Sequence, residues 1–265
     1  MKTKKEAIHF AHPYLINPTN PVTVHLIGAG GTGSHMLTAL AKMNHALTAL
    51  GHAGLQLTLW DDDRVSSANI GRQLFASSEI GLAKSVALIN RVNRFFGTSW
   101  KAEERKFPGE AISEDAFSNV YVSCVDTSHA RFEIAAVLNK MAGKGHYHRD
   151  APLYWMDTGN GKTTGQVLLS TIGEIAQPAS RRFRAVASLP MITERFNERL
   201  TSQSDNDTPS CSVAEALDKQ DLFINPAIAN LGASLFWQFL RNGMTTVSGF
   251  FINLSTFQAQ PVKIS

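Results

Sequence analysis

The run Val22 to Ile27 (VTVHLI) is short, β-branched and mostly apolar, and it leads directly into Gly28, Gly30 and Gly33. A run of that kind reads as a strand buried on both faces of a parallel sheet. The glycines stand at G-x-G-x-x-G spacing, and Gly31 adds a fourth. After them, Leu37, Leu40, Ala41 and Leu47 recur at near-helical spacing up to Gly51, and a second apolar run, LQLTLW, spans Leu55 to Trp60. Strand, glycine turn, helix and strand make a βαβ unit, whose crossover is right-handed. Glycines at these positions permit a tight turn and close backbone approach, and the helix that follows offers unpaired N–H groups to a phosphate. The plainer reading is a glycine turn that packs a helix tightly on its sheet. The position between strand and helix favours nucleotide binding.

The alternation continues. Helices are expected over Glu79 to Phe96, Ser128 to Met141 and Pro226 to Arg241. Strands are expected over Trp100 to Phe107, Val120 to Val125, Leu153 to Met156 and Gln166 to Ile172, with a closing pair at Val247 to Leu254 and Val262 to Ile264. This order predicts an α/β chain: a Rossmann-like, doubly wound, mostly parallel sheet with antiparallel strands at its C-terminal end. Residues 176–220 differ, being polar and rich in Arg, Ser and Asp, with Pro178, Pro190 and Pro209. They read as a crossover loop with some helix inside a single domain of residues 1–265.

Bulk properties exclude several classes. A net charge of +3 without a Lys/Arg stripe gives no footprint for nucleic acid. The longest apolar region, Leu222 to Leu240, is broken by Asn225, Pro226, Asn230 and Gln238, so no membrane span is expected. The N-terminus lacks the apolar core of a signal peptide. The two cysteines, Cys124 and Cys211, are far apart, which excludes a disulfide scaffold and a paired C-x-x-C zinc site and fits a reducing, cytoplasmic setting.

The second strand ends in Asp61, Asp62 and Asp63. An acid there accepts hydrogen bonds from ribose hydroxyls, or simply ends the strand in a polar group. If the chain stays extended, Asp61 and Asp63 point one way and Asp62 the other, toward solvent. The segment continues through Val65, Asn69, Arg72 and Gln73 to Gly81-Leu82-Ala83-Lys84, and a later strand ends in Val125-Asp126-Thr127 with Arg131 following. Here the chain resembles the ThiF family, the superfamily of adenylyltransferases that includes the activating enzymes of the thiamin and molybdopterin pathways and the ubiquitin-activating enzymes. The shared elements are an acidic strand end, V-x-x-x-N-x-x-R-Q, G-x-x-K and an aspartate after the third strand. Asp157-Thr158-Gly159-Asn160 and Gly165-Gln166-Val167 match a later family segment. Within the family, P-S-C-S-x-A-E-A-L and Q-D-L-F-I-N look like runs in the ThiF-like proteins of plasmid-type PRTRC gene systems.

The resemblance implies a function. ATP lies over Gly28, Gly30, Gly31 and Gly33 with its ribose near Asp61, and the C-terminal carboxylate of a small ubiquitin-like, β-grasp protein attacks the α-phosphorus. Arg72 and Lys84 stabilise the charge that builds on phosphate, Asp126 holds Mg²⁺, Asn69 and Gln73 bond phosphate or position Arg72, and Asp63 contacts the nucleotide or supports a group that does. A homodimer is implied as well.

Three departures qualify that picture. Relatives often carry an arginine before the first strand that reaches the partner subunit's site, and no arginine precedes Val22, leaving His9, His12 or a lysine as substitutes if they are not plain surface residues. The family's zinc-binding cysteine pairs are absent, so no structural zinc is expected. Cys211 stands where ubiquitin-activating relatives place a thioester-forming cysteine, and it is a candidate nucleophile. One decoy falls away: Gly161-Lys162-Thr163 would complete a P-loop only with glycine at 156, which is Met156. Two other readings stay open. An NAD(P)-dependent Rossmann oxidoreductase expects its acid about 20 residues after the glycines, whereas Asp61 comes later. A non-catalytic, partner-binding scaffold of the same fold is favoured by the missing N-terminal arginine, and the intact Arg72, Lys84 and Asp126 count against it.

Overall fold

The chain opens with two short elements that the sequence does not announce, β1 (Ala7–Phe10) and α1 (Pro13–Ile16). The computed structural model describes residues 5–107, 117–142, 149–202 and 220–265. The βαβ unit follows as expected: β2 (Val22–Ile27), α2 (Gly31–Ala49) and β3 (Leu55–Trp60). Next come α3 (Lys84–Phe96), β4 (Lys101–Glu103), β5 (Val120–Ser123), α4 (Ser128–Met141), β6 (Tyr154–Asn160) and β7 (Thr164–Thr171). Residues of the crossover form β8 (Arg184–Ala185), α5 (Ile192–Arg195) and α6 (Asn197–Ser202). The chain closes with α7 (Ile224–Asn242), β9 (Met244–Thr245), β10 (Val247–Asn253) and β11 (Gln258–Lys263).

The main sheet has eight strands in the order β11-β10-β7-β6-β5-β2-β3-β4. Its half from β6 to β4 is parallel throughout, and β7, β10 and β11 join antiparallel. The parallel strands are apolar runs because helices cover both faces. On one face Met36, Leu37 and Leu40 of α2, Leu88 and Val92 of α3, and Phe236 and Phe239 of α7 share a core with Val24, Leu26 and Leu57. On the other face Ile134, Leu138 and Met141 of α4 pack with Tyr121, Trp155 and Ile192. A second, three-stranded sheet, β8-β1-β9, ties the N-terminus to the crossover. Its centre is His9, which is fully buried, with Nδ1 2.6 Å from Val186 O and Nε2 3.0 Å from Tyr154 Oη.

The sheet order reverses at β2. The chain moves outward from β2 to β3 and β4, then returns to place β5 on the other side of β2. Connections therefore leave β2 and β5 in opposite directions and open a crevice beyond their C-terminal ends, where open α/β sheets take their ligands.

Two expectations need correction. The helix expected from Glu79 starts at Lys84. Residues 81–84 instead run beside 63–65, with Val65 N donating to Leu82 O, Gly81 N to Val65 O and Lys84 N to Asp63 O. Backbone committed to that pairing is not available to a helix. The strand expected over Trp100 to Phe107 is limited to Lys101–Glu103, and Phe107 is buried beyond its end.

Candidate active site

A cleft of about 420 Å³ lies at the C-terminal ends of β2, β3, β4, β5 and β6. Each strand end supplies part of its wall: Gly28, Gly30 and Gly31 after β2, Asp61 to Asp63 after β3, Lys106 and Phe107 after β4, Asp126 and Thr127 after β5, and Thr158 and Asn160 from β6.

The glycines serve different ends. Gly28 sits at φ +95°, and a Cβ there would lie 2.8 Å from Cys124 O, the backbone of the neighbouring strand end. A Cβ on Gly33 would fall 1.9 Å from Gly28 O, so this glycine lets α2 start directly on the turn. One on Gly31 would meet the Asn225 amide at 2.5 Å. Gly30 is the exception, with ordinary φ (−76°) and no atom within 4 Å of where its Cβ would be. No neighbouring atom requires glycine at that cleft-lining position, which leaves open space above the turn. Gly30 also caps α2 without a side-chain bond, which leaves the first N–H groups of the helix for an anion.

The acidic strand end is turned, not extended. Asp61 accepts from Ala29 N with one carboxylate oxygen (2.6 Å) and from Asp63 N with the other (2.9 Å). The second bond is an Asx turn, which bends the chain and brings Asp62 to the cleft beside its neighbours, in place of the expected outward orientation. Burial raises the Asp61 pKa above the usual carboxylate value, against the pull of the Ala29 N–H and the Lys84 charge. Asp63 accepts from Lys84 Nζ at 2.7 Å. Lys84 is a buried cation at the first position of α3, tied to an acid that is 67% exposed.

Arg72 and Gln73 line the same cleft. Arg72 donates from Nη1 to Gln220 Oε1 at 3.2 Å, while its Nε is buried without a hydrogen-bond partner. Gln73 Oε1 is likewise buried and unpartnered. Orphaned buried polar atoms cost free energy, and these two lie on one cleft wall. Burial lowers the Arg72 pKa, and the charge of Asp126 works in the opposite direction. Asn69 does not line the cleft. Its Oδ1 accepts from Ser66 N (2.8 Å) and Ser66 Oγ (3.1 Å), so its side chain shapes the loop that carries Arg72. Asp126 is exposed in the cleft, and no carboxylate of the described residues is bonded to it in a metal cluster: among those residues no group of three or more His, Cys, Asp or Glu is placed to hold a metal ion.

Gln220, Asn225, His129 and Lys106 are among the lining residues to which the sequence motifs assign no role. Asn225 Oδ1 accepts from Thr32 Oγ1 (2.9 Å) and from Asn160 Nδ2 (2.7 Å), and Asn225 Nδ2 donates to Gln220 Oε1 (2.7 Å). Gln220 and Asn225 are the two ends of the Q-D-L-F-I-N run noted above, which was the available signal. His129 and Lys106 also reach the cleft, and both pair with Glu133. The proposed nucleophile Cys211 lies outside the described residues. Cys124 lines the cleft floor, but burial pushes its thiol up to about 12. Neither histidine weighed as a trans-acting substitute is a free surface residue: His9 is in the core, and His12 caps α1 by accepting from Tyr14 N. Among the described residues no helix is long and apolar enough to cross a membrane.

The comparisons with known proteins agree with this architecture. The sequence profile of the ThiF family matches residues 20–263. No curated protein matches the chain. Among solved structures, PaaA is similar at 15% identity and a TM-score of 0.58, covering 92% of this chain and 64% of its own. MccB of E. coli is similar at 15% identity and a TM-score of 0.59, covering 95% and 63%. MccB solved with ATP gives 14% identity and a TM-score of 0.58, covering 95% and 65%. Likeness at these identities establishes a shared fold, and this chain spans less than two thirds of the length of those proteins.

Proposed function

The chain belongs to the ThiF family, and from that premise we propose that it is a single-domain, ATP-dependent adenylyltransferase acting on the C-terminal carboxylate of a small ubiquitin-like protein. The observation that carries this reading is convergence. Gly30, Arg72, Lys84 and Asp126 come from four separate chain segments and line one cleft, where Arg72 Nε and Gln73 Oε1 lack partners. That MccB has been solved with ATP, and with AMPCPP and MccA, supports a nucleotide and a second substrate for this fold.

In this reading a carboxylate oxygen of the acceptor attacks the α-phosphorus of ATP. The bond from that phosphorus to the bridging oxygen of the β-phosphate breaks, giving an acyl-adenylate and pyrophosphate. Negative charge grows on phosphate oxygens during the transfer, and fixed cations in a recessed site stabilise it without reorganising. Arg72 and Lys84 take that part. Asp63 holds the Lys84 ammonium, and Asn69 shapes the turn that presents Arg72. Asp61 holds the glycine turn through Ala29 N and borders the ribose, while the α2 N-terminus faces phosphate. Asp126, an exposed carboxylate on the cleft wall, fits Mg²⁺, which takes one or two carboxylates and fills its other positions with phosphate and water. The ion would supply charge neutralisation on the phosphates. We further infer a homodimer and a cytoplasmic location, where ATP is available.

Mass spectrometry of a neighbouring β-grasp protein, incubated with this chain, ATP and Mg²⁺, tests the proposal. The expected result is a mass increase of one AMP, or AMP formation over time, reduced by about 10²–10³-fold in Arg72→Ala. Nicotinamide-cofactor binding with no pyrophosphate exchange would instead support an oxidoreductase.

A further inference from the structure

We propose that Arg131 is the positioning residue for Asp126, an inference that rests on reading Asp126 as the acid that holds the divalent cation. Arg131 projects from α4 into the interior, with its side chain 5% exposed. It never reaches the cleft. Its guanidinium donates to the two carbonyls that flank Asp126 in sequence: Nη2 to Val125 O at 2.6 Å and Nη1 to Thr127 O at 3.1 Å. Nη2 also donates to Thr158 O, and Nε to Asp157 Oδ2, both at 3.1 Å.

That set of bonds fixes the loop between β5 and α4 to β6 from beneath. The anchor is itself secured. Asp157 Oδ1 accepts from Ser123 Oγ at 2.6 Å, Trp155 Nε1 donates to the same hydroxyl at 2.8 Å, and Thr158 Oγ1 donates to Ser123 O at 2.8 Å. Space for the guanidinium comes from Gly159, where a Cβ would lie 2.9 Å from Arg131 Nη2 and 2.3 Å from Gln166 Nε2. The outcome is a division of labour within three residues. The backbone on both sides of Asp126 is immobilised, and the carboxylate is left exposed on the cleft wall.

The chemistry calls for arginine in particular. Holding two carbonyls two residues apart and a carboxylate at once needs a planar fork with several donors. A lysine at this position keeps the charge for Asp157 but presents its donors from a single nitrogen, so it does not reproduce the fork that spans Val125 O, Thr127 O and the carboxylate at once. Groups that orient a metal ligand typically alter metal affinity about 10–100-fold when removed.

The test uses Mn²⁺ as the probe, titrated by electron paramagnetic resonance into the full chain saturated with AMPCPP. Arg131→Lys is expected to weaken Mn²⁺ binding about 10-fold, while AMPCPP binding in EDTA stays at the wild-type level. The double variant Asp126→Ala/Arg131→Lys is expected to bind Mn²⁺ no more weakly than Asp126→Ala alone. Asp157→Asn keeps the carbonyl bonds of Arg131 and is expected to lower the melting temperature with Mn²⁺ affinity near wild type. Leu138→Ala, a core change on the same helix, controls for loss of stability. Wild-type Mn²⁺ affinity in Arg131→Lys, full additivity in the double variant, or equal losses in Asp157→Asn and Leu138→Ala would overturn the proposal and leave the Asp126 assignment standing. If Asp126→Ala itself binds Mn²⁺ normally, the cation role of Asp126 fails and the positioning role fails with it.

Discussion

Two ion pairs on the parallel half of the sheet each join a helix cation to an aspartate, one just after β3 and the other within β6. In Lys84–Asp63 the contact is 2.7 Å and the acid is 67% exposed. In Arg131–Asp157 the contact is 3.1 Å and the partners are 5% and 1% exposed. The first lies on the cleft wall, where Lys84 keeps donors for a ligand and Asp63 can be resolvated. The second lies beneath the floor, where burial raises the Asp157 pKa against the charge of Arg131 and the bond from Ser123. The same pairing therefore serves two tasks, and solvent access decides which. A charge meant to meet substrate must be cheap to release; one meant to hold backbone must be costly to disturb.

Breaking each pair should expose the contrast most strongly. Asp157→Ala leaves the Arg131 guanidinium buried without its counter-charge, and a loss of about 3–5 kcal/mol in unfolding free energy is expected from denaturant melts. Lys84→Ala leaves only an exposed Asp63 that water can solvate, so its stability cost, mostly the lost packing of the buried lysine stem, should be the smaller of the two. Equal stability losses in the two variants would erase the distinction between wall and floor.

Acid sharpens the comparison through a third buried group that has no ionic partner. His25 sits among the rings of Trp60, Phe107 and Tyr121, its Nδ1 is unpartnered, and burial lowers its pKa to about 3. Above pH 6.5 the ring is neutral in folded and unfolded chains alike. As the pH falls from 6.5 toward 3, the unfolded chain binds a proton that the folded one refuses, so stability is lost at about 1.4 kcal/mol per pH unit. By pH 5 the loss should reach about 2 kcal/mol. His25→Phe should flatten this limb of a stability–pH curve. A limb unchanged in that variant would assign the acid sensitivity to other groups.

The sequence showed the cleft wall far better than it showed what braces it. Asp61 and Asp126 directly follow predicted strand ends, Arg72 and Lys84 stand on the motif-bearing segment that leads from β3 into α3, and parallel topology gathers those ends at one edge of the sheet. Local spacing therefore carried the information. The supports depend on contacts across long sequence separations. Lys84 begins its helix because residues 81–84 pair with 63–65, and the Asx turn at Asp61 redirects Asp62; neither is encoded in periodicity. β1 escaped notice because four residues without a clear pattern gain their strand conformation only from β8 and β9. Arg131 was visible as part of a motif, but its burial was not.

Gln220 offers the smallest effect and the finest discrimination between wall and brace. Its Oε1 accepts from Arg72 Nη1 on one side and from Asn225 Nδ2 on the other, joining the loop after β3 to α7 through one amide. If it acts as a brace, its removal frees the Arg72 side chain, and a hydrogen bond from a charged donor such as this guanidinium is worth about 1.5–3 kcal/mol, less where water competes. Because Gln220 is only partly buried, water can replace its amide at Asn225, so Gln220→Ala should melt within about 0.5 kcal/mol of wild type. On the proposed function, Arg72 then loses conformational entropy to meet the transferring phosphate, and kcat should fall about 3–10-fold with the KM for ATP little changed. Glu at 220 would test the sign, since a carboxylate beside Arg72 competes with phosphate for the guanidinium and should raise the KM for ATP. A Gln220→Ala enzyme with normal kcat would show that Arg72 is positioned by its own loop, through Asn69 and Ser66, and that the far side of the cleft plays no part in presenting it.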